Sequence, residues 1–431
     1  MQHWRKLVLI AAAVLVVAAA DVSPRQPSAA GASTGSSRVL WQIDRPTRSV
    51  ATGSRFVGWV GTKNPAIITV RVDGDIVATT VADDARHDVA TALGIGPDVG
   101  FDVKVPGLEF GTYRLCLRAD TAVHSLDLGC HLRTVVPPRS RRPDKKLVIN
   151  GVGDTFTNPA WFTRGRKADY RPVLDGMRGL LLDDDLTVAN LECSPSRLGE
   201  RIPKPYNFRC PPASLRELRR DGFDVVSQAN NHSLDFGIEA MLDGKANIER
   251  AGLGSVGSGA SRAEALTPQL IEVDGWRIAV FGLAEFVEFS SAYATPTRAG
   301  VANGRDLTAA VKAITRFDPL VDVVVVTIHW GVERTSKLSA GQTRGAATLV
   351  DAGADVIFGH HPHWLQPLRR IKGVPVFYSL GNFVWFDLGG PASESAVGRA
   401  EFRRSGGVRA CVLAAHIDRP GSVRLGEDRR C

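Results

Sequence analysis

Three histidines fall within four positions at His360-His361-Pro362-His363, a density that side-chain packing seldom requires. Four other stretches carry comparable polar groups: Asn150-Gly151-Val152-Gly153-Asp154, Val188-Ala189-Asn190-Leu191-Glu192, Gln228 to Gly237 (with Asn230, Asn231, His232 and Asp235), and Ile328-His329-Trp330-Gly331. Half of the chain's 10 histidines sit in these places; the others are His3, His87, His124, His131 and His416. Together with Asp154, Glu192 and Asn231 they form a mixed oxygen and nitrogen donor set. Such a set suits Mn, Fe or Zn better than calcium or a thiolate site. Taken singly, each stretch has a plainer reading: Gly-Asp is a turn, Asn231 a helix cap, His329 beside Trp330 a packed histidine. Their joint occurrence points to a metal site.

Each of these stretches follows a predicted strand, at 147–152, 186–189, 224–227, 323–328 and 356–358, with further strands at 277–283 and 374–378. Helical patterns at 214–221, 237–251, 306–317 and 341–352 lie between several of them. Strands alternating with helices specify an α/β domain. In an open α/β sheet, ligands bind beyond the carboxyl ends of the strands, so stretches distant in sequence converge there. A hairpin over 269–273 and 276–281, turned by Asp274-Gly275, makes the sheet mixed.

Residues 147–385 resemble the CapA capsule synthesis family, associated with poly-γ-glutamate, a branch of the calcineurin-like metallophosphoesterase superfamily. The matching strings are Gly153-Asp154, Asn190-Leu191-Glu192, Ala229-Asn230-Asn231-His232-Ser233-Leu234-Asp235-Phe236-Gly237, His329-Trp330-Gly331-Val332-Glu333, Gly359-His360-His361-Pro362-His363 and Tyr378-Ser379-Leu380-Gly381-Asn382-Phe383. The resemblance implies a four-layer α-β-β-α sandwich holding two divalent ions bridged by a carboxylate. Carried over by position, Asp154 is a first-site ligand and Glu192 the bridge. Asn231, His329 and His361 hold the second ion, and His363 returns to the first. Two departures stand out: the superfamily's His two residues after the first Asp is Phe156 here, and the bridging acid is Glu instead of Asp. Both are expected of the CapA-like branch, and they leave the first ion few protein ligands.

The resemblance also implies a mechanism. A divalent ion lowers the pKa of bound water from 15.7 toward ~7, giving a hydroxide able to attack phosphorus or an acyl carbon. His232 is the general acid, and Asp235, three residues on, orients it. Arg201, Lys204 and Arg209, in the loop after Glu192, bind an anionic substrate or form a solvated basic loop. His360 and Asn382 contact substrate. The reading is a metal-dependent enzyme of capsule or envelope polymer synthesis, export or processing; a plain phosphoesterase and a non-catalytic assembly factor are the alternatives. The expected partners are an anionic polymer and membrane-bound capsule synthesis proteins.

The remainder of the chain sets the context. Residues 1–20 carry Arg5 and Lys6 before a 14-residue apolar run and read as a signal peptide or N-terminal anchor. The expected location is therefore secreted or cell-envelope. Residues 21–37, rich in Pro, Ser, Ala and Gly, form a flexible linker. Residues 38–136 hold seven short β-rich runs and predict an Ig-like β-sandwich, separate from the catalytic part. Residues 137–146 carry net charge +4 and read as a basic linker. The α/β domain runs 147–420, with a tail at 421–431. Six cysteines allow 15 pairings, and their spacing favours Cys116–Cys130, Cys193–Cys210 and Cys411–Cys431 in an oxidising compartment. At 431 residues, 44% apolar and 23% charged, the chain is neither disordered nor fibrous. No apolar run reaches the ~20 residues of a spanning helix, which excludes a polytopic membrane protein. A net charge of +8 permits attraction to anionic polymers without calling for nucleic acid.

Overall fold

Valine fills Val323 to Val326, and every residue of the strand Val323–His329 is buried. The same holds for Leu147–Thr155, Leu186–Leu191, Trp276–Ala284 and Val356–His360. Strands buried on both faces read as continuous apolar runs, unlike the alternating pattern of a half-solvated sheet. The computed structural model describes residues 41–45, 49–50, 55–62, 66–93, 96–105, 108–121, 125–136, 145–158, 160–161, 177–386 and 389–426. The expected export segment, the flexible linker, most of the basic linker and Cys431 lie outside the described residues.

Two mixed sheets build the α/β part. One has eight strands, ordered Gly254–Val256, Val225–Ser227, Leu186–Leu191, Leu147–Thr155, Glu394–Phe402, Val408–Arg419 and Ser422–Leu425, with Asn382–Val384 also paired to Leu147–Thr155. The first four of these run parallel and the last three antiparallel. The other has six strands, ordered Gln269–Val273, Trp276–Ala284, Val323–His329, Val356–His360, Val374–Leu380 and Leu365–Ile371. Its four central strands are parallel and its two edges antiparallel.

One apolar cluster joins the sheets, with Ile149, Val188 and Val225 of the first packed in the same core as Val280, Val325 and Phe358 of the second. A second cluster packs Leu215 and Leu218 of helix Ser214–Arg220 and Ile248 of helix Gly237–Arg250 with Ala189, Leu191 and Val226 of the first sheet. A third packs Ile314 of helix Thr308–Phe317 and Leu349 of helix Ala340–Asp351 with Phe281, Val326 and Ile357 of the second.

Turn chemistry fixes the hairpins. Asp274 and Gly275 both take positive φ, 48° and 75°, as the type I′ turn between paired strands demands. Lys372 and Gly373, at 51° and 89°, do the same between Leu365–Ile371 and Val374–Leu380. The lysine there hides the signal that Asn-Gly or Asp-Gly would give.

Upstream, a four-stranded and a five-stranded sheet are built from residues 41–135. Cys116 and Cys130 face one another across paired strands and form a disulfide, and a second disulfide joins Cys193 to Cys210. The described residues from Trp41 onward form one compact unit. Within it Arg114 pairs with Glu264 at 2.8 Å, and the Arg277 guanidinium lies 5.0 Å over the Phe110 ring. The described part of the first sheet runs past residue 420 to Ser422–Leu425. Among the described residues, no helix is long and apolar enough to cross a membrane.

Close approach of the two α/β sheets depends on Gly151, where an added Cβ would lie 2.2 Å from the Phe358 ring. Overpacking of this kind costs about 1–3 kcal/mol. Gly151→Ala is expected to lower the thermal midpoint correspondingly; an unchanged melt would contradict sheet contact at this point.

Candidate metal centre

The carboxyl ends of the central strands deliver the polar residues together. Asp154 lies near the end of Leu147–Thr155, Glu192 follows Leu186–Leu191, and His329 and His360 end neighbouring strands in register with one another. Asn231, His232 and Asp235 occupy the turn between Val225–Ser227 and helix Gly237–Arg250. His361 and His363 follow His360 in a turn with positive φ at both, 94° and 57°. Such backbone costs of order 1–3 kcal/mol per residue and persists only where surroundings enforce it. Here the Asp154 Oδ2 accepts the His361 N–H at 3.2 Å, and His363 Nδ1 meets Asn382 Oδ1 at 2.8 Å.

Asp154 and Glu192 are completely buried. Asn190 Nδ2 donates to Asp154 Oδ1 at 2.8 Å and to Glu192 Oε2 at 3.3 Å, so one amide spans both carboxylates. Asn230 in turn donates to Asn190 Oδ1 at 3.0 Å. Glu192 Oε1 is buried without a hydrogen-bond partner. It lies 3.8 Å from His363 Nε2, 3.9 Å from His232 Nε2 and 4.0 Å from His329 Nε2. These separations are too long for hydrogen bonds. Donor atoms of Asp154, Glu192 and His363 all lie within 4.8 Å of one another and could hold a metal ion. An orphaned carboxylate oxygen among imidazole nitrogens fits a divalent cation.

The second expected set also assembles. His329 Nε2 meets Asn231 Oδ1 at 2.9 Å, and the His329 and His361 rings lie 4.6 Å apart. Phe286 stacks on His361 at 4.6 Å, and His361 Nδ1 has no hydrogen-bond partner. Burial holds His361 down at about 3 and His360 at about 4, and burial with neighbouring histidines holds His329 well below its ordinary value. These rings are neutral, the state that ligates metals. Burial also opposes charge on His363, but the Glu192 and Asp154 carboxylates outweigh it and raise His363 to about 10. Burial and Asp154 push Glu192 well above the carboxylate range; burial would raise Asp154 too, but contact with His363 lowers it.

His232 Nδ1 pairs with Asp235 Oδ2 at 2.7 Å, leaving Nε2 toward Glu192. Phe208 stacks on the His232 ring at 4.0 Å. Phe156 is fully buried, packed edge-on or tilted against Trp161, Phe208, Trp385 and Phe386. An aromatic cluster thus surrounds Phe156, two residues after Asp154.

Of the remaining expected residues, Lys204, His360 and Asn382 reach the centre and Arg201 and Arg209 do not. Arg201 is exposed, donating to Asn207 Oδ1 at 3.1 Å. Arg209 holds the Leu198 and Gly199 carbonyls at 2.9 Å and lies 3.7 Å over Phe236. The Lys204 side chain is only 3% exposed and pairs with Asp235 Oδ1 at 2.6 Å. His360 is buried 3.6 Å from Asp154 with neither ring nitrogen hydrogen-bonded. Asn382 touches His363 and donates to the Ala392 carbonyl at 3.0 Å. The sequence reading gave Asn190 and Asn230 no individual role, although both lie in strings it singled out; a strand-end Asn beside acids is the signal that would have found Asn190.

The family model described as bacterial capsule synthesis protein PGA_cap matches residues 148–386, which contain every residue of this centre. The chain belongs to that capsule synthesis family. It is 34% identical over 195 residues to the PGA biosynthesis protein CapA of Bacillus subtilis, covering 45% of this chain and 50% of that protein. It is 32% identical over 266 residues to the capsule biosynthesis protein CapA of Bacillus anthracis, covering 59% of this chain and 63% of that protein. The chain therefore spans between half and two thirds of these relatives.

Metal ligands must shed their protons. With His363 raised to about 10, a cation held there at neutral pH would have to displace its proton, so affinity is expected to rise with pH toward that value. About a tenfold gain per pH unit is expected for each proton released. Calorimetric titration in buffers of different ionisation enthalpy checks this; affinity independent of pH between 6 and 9 would contradict it.

Proposed function

We propose that this family member is an exported, metal-dependent enzyme that cleaves or transfers a linkage in a capsule or envelope polymer of the poly-γ-glutamate kind. The observation that carries the reading is the partnerless Glu192 Oε1 facing three histidine nitrogens. Two packed sheets with helices on their outer faces support a metallophosphoesterase-like α-β-β-α sandwich, and the upstream sheets support an Ig-like accessory domain. Two disulfides support an oxidising, extracytoplasmic location.

In this reading Asp154, Glu192 and His363 hold one divalent ion and Asn231, His329 and His361 a second, with Mn, Fe and Zn all compatible with the donors. When bound, such ions polarise a substrate oxygen and bring the pKa of coordinated water toward ~7. The chain's own groups do the rest. Asp235 accepts a hydrogen bond from His232 Nδ1–H and so fixes the ring, directing Nε2 into the centre. The imidazolium, protonated at both nitrogens, gives its Nε2 proton to the departing group and regains one from solvent, while burial lowers the ring's pKa and eases that release. Neighbouring aromatic rings, including Phe208 against His232, exclude water from that side. An anionic polymer and membrane-bound capsule proteins are the proposed partners.

The test is hydrolysis of γ-glutamyl oligomers, beside an activated phosphodiester, by protein reconstituted with Mn, Fe or Zn. His232→Ala is expected to retain metal and lose about 10²–10⁴ in turnover. An undiminished rate in a metal-loaded variant would overturn the assigned proton donor. Activity on the phosphodiester alone would move the assignment to a phosphoesterase, and none on either substrate to an assembly factor.

A further inference from the structure

The loop closed by Cys193–Cys210 reaches the centre in a way that its basic residues do not announce. Lys204 turns inward: Nζ lies 2.6 Å from Asp235 Oδ1 and donates to the Asn231 carbonyl at 2.9 Å. Among the described residues, the other acid that faces it is Glu288, at 3.7 Å and 37% exposed. The other oxygen of Asp235 accepts the Phe208 N–H at 2.6 Å as well as pairing with His232 Nδ1. Two more hydrogen bonds tie the same segments, from the Ile202 backbone N–H and the Asn207 side-chain Nδ2 to the Asp235 carbonyl, at 3.0 and 3.4 Å.

We infer that Lys204 is a positioning residue, clamping the Asn231–Asp235 turn so that the His232 imidazole and the Asn231 side chain both face the metal centre. The inference rests on the roles proposed above for His232 and Asn231. Its physical basis is independent of them: a buried ammonium fixes a buried carboxylate at one rotamer, and that carboxylate fixes the ring. Asp235 alone, held by one backbone N–H, could swing about its side-chain torsion. The Lys204 ammonium is ion-paired with Oδ1 while the Phe208 N–H hydrogen-bonds Oδ2, so a charge holds one oxygen and a hydrogen bond the other. The same ammonium anchors the carbonyl of Asn231, whose side chain reaches His329. Lys204 therefore has no free face for an anionic substrate.

The test uses full-length, metal-reconstituted protein. A far-downfield imidazole proton, assigned by its loss in His232→Ala, reports the His232–Asp235 hydrogen bond by proton NMR. The resonance is expected in the parent, absent in Lys204→Met and recovered in Lys204→Arg, which restores the charge. An unchanged resonance in folded Lys204→Met overturns the inference. With a turned-over substrate, Lys204→Met is expected to lose about 10- to 100-fold in kcat with KM nearly constant. A raised KM with unchanged kcat would instead place Lys204 against substrate. Should Lys204→Met fail to fold, reductive methylation of the native parent decides: Lys204 stays unmodified while exposed lysines react, and methylation at their rate overturns the clamp. If the parent hydrolyses neither test substrate, the proposed activity fails while the NMR arm still reads the clamp.

Discussion

Two carboxylates, Asp154 and Glu192, are buried side by side under a single bridging amide. Removing one charge from water costs several kcal/mol even after relaxation, and placing a like charge beside it adds to that cost. Burial and mutual repulsion push Glu192 well above the carboxylate range, and the two acids raise the His363 imidazole to about 10 against its own burial. The rest of the centre follows from this constraint. Histidines kept neutral by burial surround the pair, and positive-φ backbone at His361 and His363 is tolerated because it turns both residues onto the acids. A cation would discharge the pair and repay the strained turn together.

The scaffold makes that concentration of charge tenable. Parallel strands from both sheets end at the centre, so Asp154 and His329 sit on strands whose every residue is buried and Glu192 directly follows one, while Asn231, His361 and His363 lie in the turns beyond. Rigid strand ends hold ligand atoms more tightly than loops do. At Phe156, two residues after Asp154, the space is filled by rings instead of a nitrogen donor. These rings make one flank of the centre apolar, with Phe208 against His232 and Trp385 against His363.

Much of this was legible in residue order. Valine-rich runs named the buried strands, Asp274-Gly275 named a hairpin, and the clustering of His360, His361 and His363 named the centre. Other features depend on partners that local sequence does not encode. The helix His87–Leu93 is too short to show a helical period. Lys372-Gly373 adopts a hairpin turn with a residue that rarely signals one. Lys204 sits in a basic loop that reads as solvated, and only the fold brings Asp235 to its ammonium. Asn190 lay in plain view, but its bridging of two acids needs the parallel register of Asp154 with Asn190.

The most direct test of the account is the metal content of folded protein, purified and reconstituted with Mn, Fe or Zn, measured beside His361→Ala and Glu192→Ala. Two divalent ions per chain in the parent, with fewer in His361→Ala and none in Glu192→Ala, is the result predicted. A stably folded parent that binds no ion after reconstitution would contradict it.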